Sequence, residues 1–162
     1  MTEVQQVITT LSSDIMAGLT LFAADLKMAP PEAASRIVTE FIAKRLTGEE
    51  RERALAELDL LDQIEAIIDR VEAEDTWGED VTSDVFEEVE NNYLPLYTRA
   101  VGGDPHGSHN SHKGRINKRV GARVKARLGA EVVMRNGKRV KGQCSGRIIL
   151  SWTKLRRPGS AG

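Results

Sequence analysis

The charged residues of this chain are divided between its two ends, and this division limits what the chain can fold into. Residues 1–98 contain 22 Asp and Glu against 7 Lys and Arg, a net charge of −15. Residues 99–162 contain 2 acidic and 16 basic residues, a net charge of +14, so the overall charge of −1 conceals the division. Because solvation alone rarely separates charge so sharply, at least one half needs a partner of opposite charge.

The acidic half carries apolar residues at helical spacing. One stripe runs through residues 3–26, a second follows Pro30-Pro31 and reaches residue 46, a third spans 47–74, and a fourth spans about 82–93. Short connections between such helices predict a bundle of three to four helices over residues 1–98. The third and fourth helices are rich in carboxylates. These form either a solvated face or a surface for a cationic partner, which could be the chain's own basic half, a neighbouring subunit or another protein.

The sequence RINKRVGARVKARL (115–128) combines two stripes on one predicted helix. Apolar residues recur every four positions, and arginines recur at the same spacing one position earlier; the arginines are Arg115, Arg119, Arg123 and Arg127. One position is about 100° of helix rotation, so the arginine stripe lies beside the apolar one, with Lys118 and Lys125 on the far side. Arginines about 6 Å apart suit a run of phosphates, and the alternatives are a solvated edge or one paired with the acidic bundle.

The segment EVVMRNGKRVKG (131–142) contains the strongest short-range signal for a β-hairpin. A type I′ turn at Asn136-Gly137 pairs Arg135 with Lys138 and Met134 with Arg139. A third strand over 147–155 completes a predicted three-stranded antiparallel module, in which Trp152 is more typical of a core residue than of a base-stacking one. Cys144 lies in a turn with no neighbouring base, which indicates an inert thiol. Residues 115–155 therefore form a small basic helix-plus-β module, and 156–162 form a tail.

Residues 99–114 connect the two halves and contain all three histidines of the chain. His106, His109 and His112 have the chemistry of zinc ligands, and Asp104 could be a fourth. The glycines and the proline of this segment argue against a helix that would orient three rings together, so we expect a linker before a metal site. A third possibility is that the segment, with Lys113, meets phosphates at the start of the arginine helix.

Taken together, the sequence predicts an α+β protein that binds nucleic acid and is not an enzyme. The residues expected to contact phosphates are Lys113, Arg115, Arg119, Arg123, Arg127, Arg135, Lys138, Arg139 and Lys141. The acidic helices would mediate oligomerisation or bind a protein partner. Alternatives are a structural assembly component, such as a phage virion or ring subunit, an inhibitor whose acidic face mimics nucleic acid, and a His-dependent metal nuclease. The sequence indicates no cofactor.

The expected location is the cytoplasm, or a virion if the assembly alternative holds. The most apolar stretch, residues 15–24, is about half the length of a membrane span, and the only early charge is Glu3 where a signal peptide would be positive. A single cysteine, Cys144, excludes an internal disulfide and is compatible with a reducing compartment.

Overall fold

Helices come first and short strands last in this α+β chain. The computed structural model describes residues 9–107 and 111–159, and within them five helices precede six strands of two or three residues. The chain divides into two units, residues 1–46 and 47–162. Residue 98, where the predicted acidic module ends, lies inside the fourth helix, and this helix shares a core with the basic helix that follows it. None of the helices described is long and apolar enough to cross a membrane.

The first unit is a helical hairpin. Helix α1 spans Ser13–Asp25, and Ser12 caps it by accepting a hydrogen bond from the backbone N–H of Ile15 at 3.4 Å. Helix α2 spans Pro30–Ala43 and begins with the two prolines, which the first turn tolerates. The apolar stripe had predicted a first helix from residue 3; α1 begins at Ser13, and residues 1–8 lie outside the described residues.

The second unit contains three helices around one core. Helix α3 spans Gly48–Glu74, α4 spans Val81–Val101, and α5 spans Ser111–Arg127. Thr47 is the N-cap residue of α3 but makes no side-chain capping bond. Helix α4 continues past its predicted end because a kink at Tyr93, where φ is −131°, accommodates Pro95. The fully buried core residues include Leu60, Ile64, Ile68, Val85, Val89, Ile116, Val120, Val124 and Ile148.

The strands form three separate two-stranded antiparallel ladders, where the sequence had predicted one three-stranded sheet. β1 (Glu131–Val132) pairs with β6 (Leu155–Arg156), β2 (Met134–Arg135) with β3 (Lys138–Arg139), and β4 (Lys141–Gln143) with β5 (Ser151–Thr153).

The three ladders meet where Val133, Val140 and Lys154 exchange backbone hydrogen bonds in a closed cycle. Val140 N–H donates to Val133, Lys154 N–H to Val140, and Val133 N–H to Lys154, at 2.9, 2.9 and 3.0 Å. Each segment therefore changes partner at this junction. The hairpin register itself is as predicted, with Met134 opposite Arg139, and Asn136 and Gly137 have φ of 51° and 72°.

Candidate functional site

The arginine stripe of α5 faces the carboxylates of α3. Arg115 pairs with Glu57, Arg123 with Glu65, and Arg127 with Asp69. In each of these pairs the two residues are 58 positions apart, so the two helices run parallel with a fixed register. Arg127 also reaches Glu65 at 2.6 Å and Glu72 at 3.2 Å. The carboxylates near the C-terminus of α3, which oppose the helix dipole, thus gain a cation.

These ion pairs form a ladder between α3 and α5, and Glu57 is the most enclosed carboxylate of this ladder. Its residue is only 5% exposed. Its two oxygens accept hydrogen bonds from the two terminal nitrogens of Arg115 at 2.7 and 2.5 Å, and Arg119 approaches at 3.4 Å. A bidentate pair of this kind is among the stronger polar contacts in proteins and fixes the geometry of both partners.

This ladder identifies one partner for the acidic half: the basic helix of the same chain. The four arginines predicted to contact phosphates, Arg115, Arg119, Arg123 and Arg127, all have carboxylate partners on α3. Arg123 and Arg127 have side chains only 3% and 7% exposed. Phosphate contact by these residues would require the loss of ion pairs that are partly or fully shielded from water.

The opposite face of α5 lines a cleft of about 690 Å³. Its contribution is a run of mostly small and cationic residues at helical spacing: Gly114, Asn117, Lys118, Gly121, Ala122 and Lys125. The other walls come from Thr82 and Phe86 of α4 and from residues 148–153. Because Gly114 and Gly121 have no side chain, a ligand can approach the backbone of α5 closely between the two lysines.

The electrostatic character of the cleft is cationic. Its lining includes Lys113, Lys118, Lys125 and Arg139, and no Asp or Glu lines it among the described residues. Lys113 is 4% exposed, and its ammonium group donates to the backbone carbonyls of Pro105 and Gly107 at 2.6 and 3.2 Å. It therefore holds the preceding loop against α5. Lys118, Lys125 and Arg139 are exposed and make no ion pair with any described residue.

The basic hairpin continues this cationic surface from Arg139. Arg135, Lys138 and Lys141 are exposed, and within residues 9–107 and 111–159 none of them pairs with a carboxylate. Arg135 and Lys138 are opposite each other beside the turn. Like charges at such positions repel, and an anion bound nearby would relieve this.

Trp152 is fixed in the cleft wall by two contacts. Its indole N–H donates to Asp80 at 2.7 Å, and its ring lies directly over Gly142, where a Cβ added to the glycine would come within 2.3 Å of the indole. Lys154 also approaches Asp80, at 3.3 Å, and this carboxylate raises the pKa of the lysine. The ring is half-buried and held in place, which agrees with the interpretation of Trp152 as a packing residue.

The described histidines face different helices. The His106 ring is 3.6 Å from a carboxylate oxygen of Glu90 on α4, and His112 Nε2 is 3.2 Å from a guanidinium nitrogen of Arg53 on α3. His109 lies outside the described residues. Burial, followed by the neighbouring Arg53 and Arg115, lowers the pKa of His112. No three His, Cys, Asp or Glu side chains come together as a metal site in the part of the chain that the structure describes.

Two cleft residues, Lys118 and Lys125, were missing from the predicted site. The sequence places them opposite the arginine stripe, but it does not show which stripe faces solvent. The signal that could have found them is the spacing of Gly114, Gly121 and Ala122, which share their helix face.

No family model, curated protein or solved structure matches the chain.

Proposed function

We propose that this protein binds nucleic acid through the cationic cleft and the adjoining hairpin, and that it does so without catalysis. The observation that carries the proposal is the unequal use of the basic residues. The arginine stripe is paired with α3, whereas Lys118, Lys125 and Arg139 surround a cleft lined by no described carboxylate. When lysines and arginines without ion pairs meet phosphates, counterions condensed on the nucleic acid are released, and this release is the main source of non-specific affinity.

The proposed contacts are to the phosphate backbone. Lys118 and Lys125 are seven positions apart, which is about two turns or 10 Å along α5, and this spacing suits phosphates two or three nucleotides apart on one strand. Arg135, Lys138, Arg139 and Lys141 add a second group of cations on the hairpin. Such contacts position a nucleic acid without reading its sequence. Binding is therefore expected to be weakly sequence-dependent and strongly salt-dependent.

The alternatives rest on other features of the chain. Assembly by docking the acidic face of one copy on the basic face of the next would need the same carboxylates and arginines that pair within one chain. An acidic mimic of nucleic acid could not present Glu57, Glu65 and Asp69 without breaking their ion pairs with α5. A metal nuclease would need ligands beyond His106 and His112, whose rings face Glu90 and Arg53. The proposed location remains the cytoplasm.

The test compares two double variants that each remove two positive charges. Lys118→Ala with Lys125→Ala alters the cleft, while Lys44→Ala with Arg51→Ala removes two exposed cations that do not line the cleft. Affinity for a labelled 30-nucleotide single strand, duplex DNA and duplex RNA is measured by fluorescence anisotropy between 50 and 200 mM salt.

Wild type should bind with a steep salt dependence. For duplex DNA, the cleft variant should reduce the slope of log K against log salt by about 1.8, while the control variant keeps it. Absence of salt-dependent binding by the wild type would refute the proposal, and equal slopes for both variants would refute the assignment to the cleft. Elemental analysis for zinc and manganese, with a nuclease assay of His112→Ala, separates the enzymatic alternative.

A further inference from the structure

The helical hairpin of residues 13–43 buries only alanines. Within α1 and α2 the buried residues are Ala23, Ala33 and Ala43. Alanine contributes little apolar area, so contacts inside the hairpin remove little surface from water. Two short helices held by so small a core need a further apolar partner to be stable.

The large apolar residues of the hairpin lie on its outside. Ile15, Met16, Leu21, Phe22, Ile37, Val38, Phe41 and Ile42 are between 40% and 70% exposed. On α2 the positions 37, 38, 41 and 42 follow the pattern i, i+1, i+4 and i+5, which places them on one helix face. This α2 face is continuous, and scattered single exposures would not produce such a pattern.

We propose that this face binds a second copy of the chain, so that two hairpins form an apolar four-helix interface. If each of the four α2 side chains exposes roughly half of about 200 Å², this face offers about 400 Å² of apolar surface per copy. That area is about half of what one partner contributes to a standard protein interface, and it forms an apolar centre that a polar rim would surround.

Charge and surface composition favour a second copy over other occupants. Residues 13–46 contain four acidic and four basic residues, a net charge of zero, so two hairpins do not repel each other and neither nucleic acid nor a highly charged protein is attracted to them. In the described part of residues 47–162 the exposed large apolar residues are only Leu55, Met134 and Leu150, on separate elements. The hairpin of another copy is therefore the apolar surface that matches it best.

The test measures the mass of the full-length chain by size exclusion with light scattering, at protein concentrations from 1 to 200 μM and at 0.1 and 1 M salt. The wild type should reach twice the chain mass of 17.8 kDa, and should keep it at high salt because the interface is apolar. Phe41→Glu and, separately, Val38→Glu should weaken dimerisation at least 100-fold. Met134→Glu, at a site 54% exposed against 55% for Phe41, is the matched control and should leave the dimer intact.

Circular dichroism checks whether each variant is folded. If Phe41→Glu does not fold, Val38→Glu alone tests the interface. A wild type that stays monomeric at 200 μM would overturn the proposal, as would a dimer that both hairpin variants leave unchanged. A dimer that dissociates at 1 M salt would instead indicate charge-based assembly and would also overturn it. These outcomes are independent of nucleic-acid binding, which is measured separately.

Discussion

Glu57 holds Arg115 in a bidentate ion pair across 58 residues of sequence, with oxygen–nitrogen distances of 2.7 and 2.5 Å. This pair begins a ladder in which the basic helix α5 lies parallel to the acidic helix α3. The ladder neutralises the arginine stripe and turns the opposite face of α5, with Lys118 and Lys125, toward the cleft. The cations of α5 that remain available to a ligand are therefore the two lysines of the cleft, because the acidic helix α3 pairs with the arginine stripe.

Two adjacent residues of α5 test this division of roles. Lys118→Ala should lower affinity for nucleic acid about eightfold at 0.1 M salt, because one phosphate contact contributes a slope of about 0.9 in log salt. Arg119→Ala should change affinity less than twofold, because Arg119 faces Glu57 at 3.4 Å. Fluorescence anisotropy on folded protein checks both variants. A larger loss with Arg119→Ala than with Lys118→Ala would place the binding surface on the arginine stripe.

Loss of the Glu65 charge should destabilise the second unit. Glu65→Gln leaves Arg123, whose side chain is 3% exposed, without the carboxylate to which its Nε donates. Breaking a buried pair in this way costs about 3 kcal/mol of unfolding free energy. Urea denaturation followed by circular dichroism measures the loss. Asp59→Asn, at an exposed position of the same helix, is the control and should stay within about 0.5 kcal/mol of the wild type.

Acid should destabilise the protein through His112. The folded protein lowers the pKa of His112 through burial and the nearby arginines, while the unfolded chain keeps the ordinary value of 6.5. The unfolded state therefore takes up the proton first. The contribution of His112 to the free energy of unfolding is fully present above pH 6.5 and is lost as pH falls through the folded pKa. His112→Gln should reduce the drop in melting temperature between pH 7.5 and pH 5. If the drop is the same in His112→Gln as in His106→Gln, then His112 is not the source.

Alkaline pH should act through Tyr97. This residue is fully buried, its hydroxyl donates to Asn117 at 2.7 Å, and burial raises its pKa to about 12. Stability should be complete below pH 10 and decline as pH rises toward 12, because the unfolded state loses the phenolic proton first. Tyr97→Phe should cost about 1 kcal/mol, and Asn117→Ala about 2 kcal/mol because it leaves a buried hydroxyl unpaired. An Asn117→Ala variant no less stable than Tyr97→Phe would contradict this reasoning.

Gly142 should tolerate no side chain. A Cβ at this position would lie 2.3 Å from the indole of Trp152, a rigid ring also held by Asp80. Gly142→Ala should therefore cost about 1–3 kcal/mol through overpacking and shift the tryptophan emission. Gly78→Ala, where nothing lies within 4 Å, provides the control in thermal melts. Equal melting temperatures for the two variants would show that the strands move apart at low cost.

Much of the local structure could be predicted from the sequence, because it depends on spacing within short segments. The Asn136-Gly137 turn predicted the register of Met134 with Arg139, and the four-residue spacing predicted two adjacent stripes on α5. The role of each stripe could not be predicted, because it depends on contacts between residues 58 positions apart. The closed hydrogen-bond cycle of Val133, Val140 and Lys154 is equally non-local, so strand propensities indicated one sheet where three ladders form.

The spacing of the α3–α5 ladder also restricts how the two helices can slide. The apolar stripe of α5 repeats every four residues, so hydrophobic packing alone would accept a shift by one helical turn. Such a shift in one direction places Arg115 beside Leu61 and in the other beside Arg53, so its guanidinium loses its carboxylate or meets another cation. The ion pairs therefore select one alignment of α3 and α5 among several that the apolar contacts alone would accept equally well.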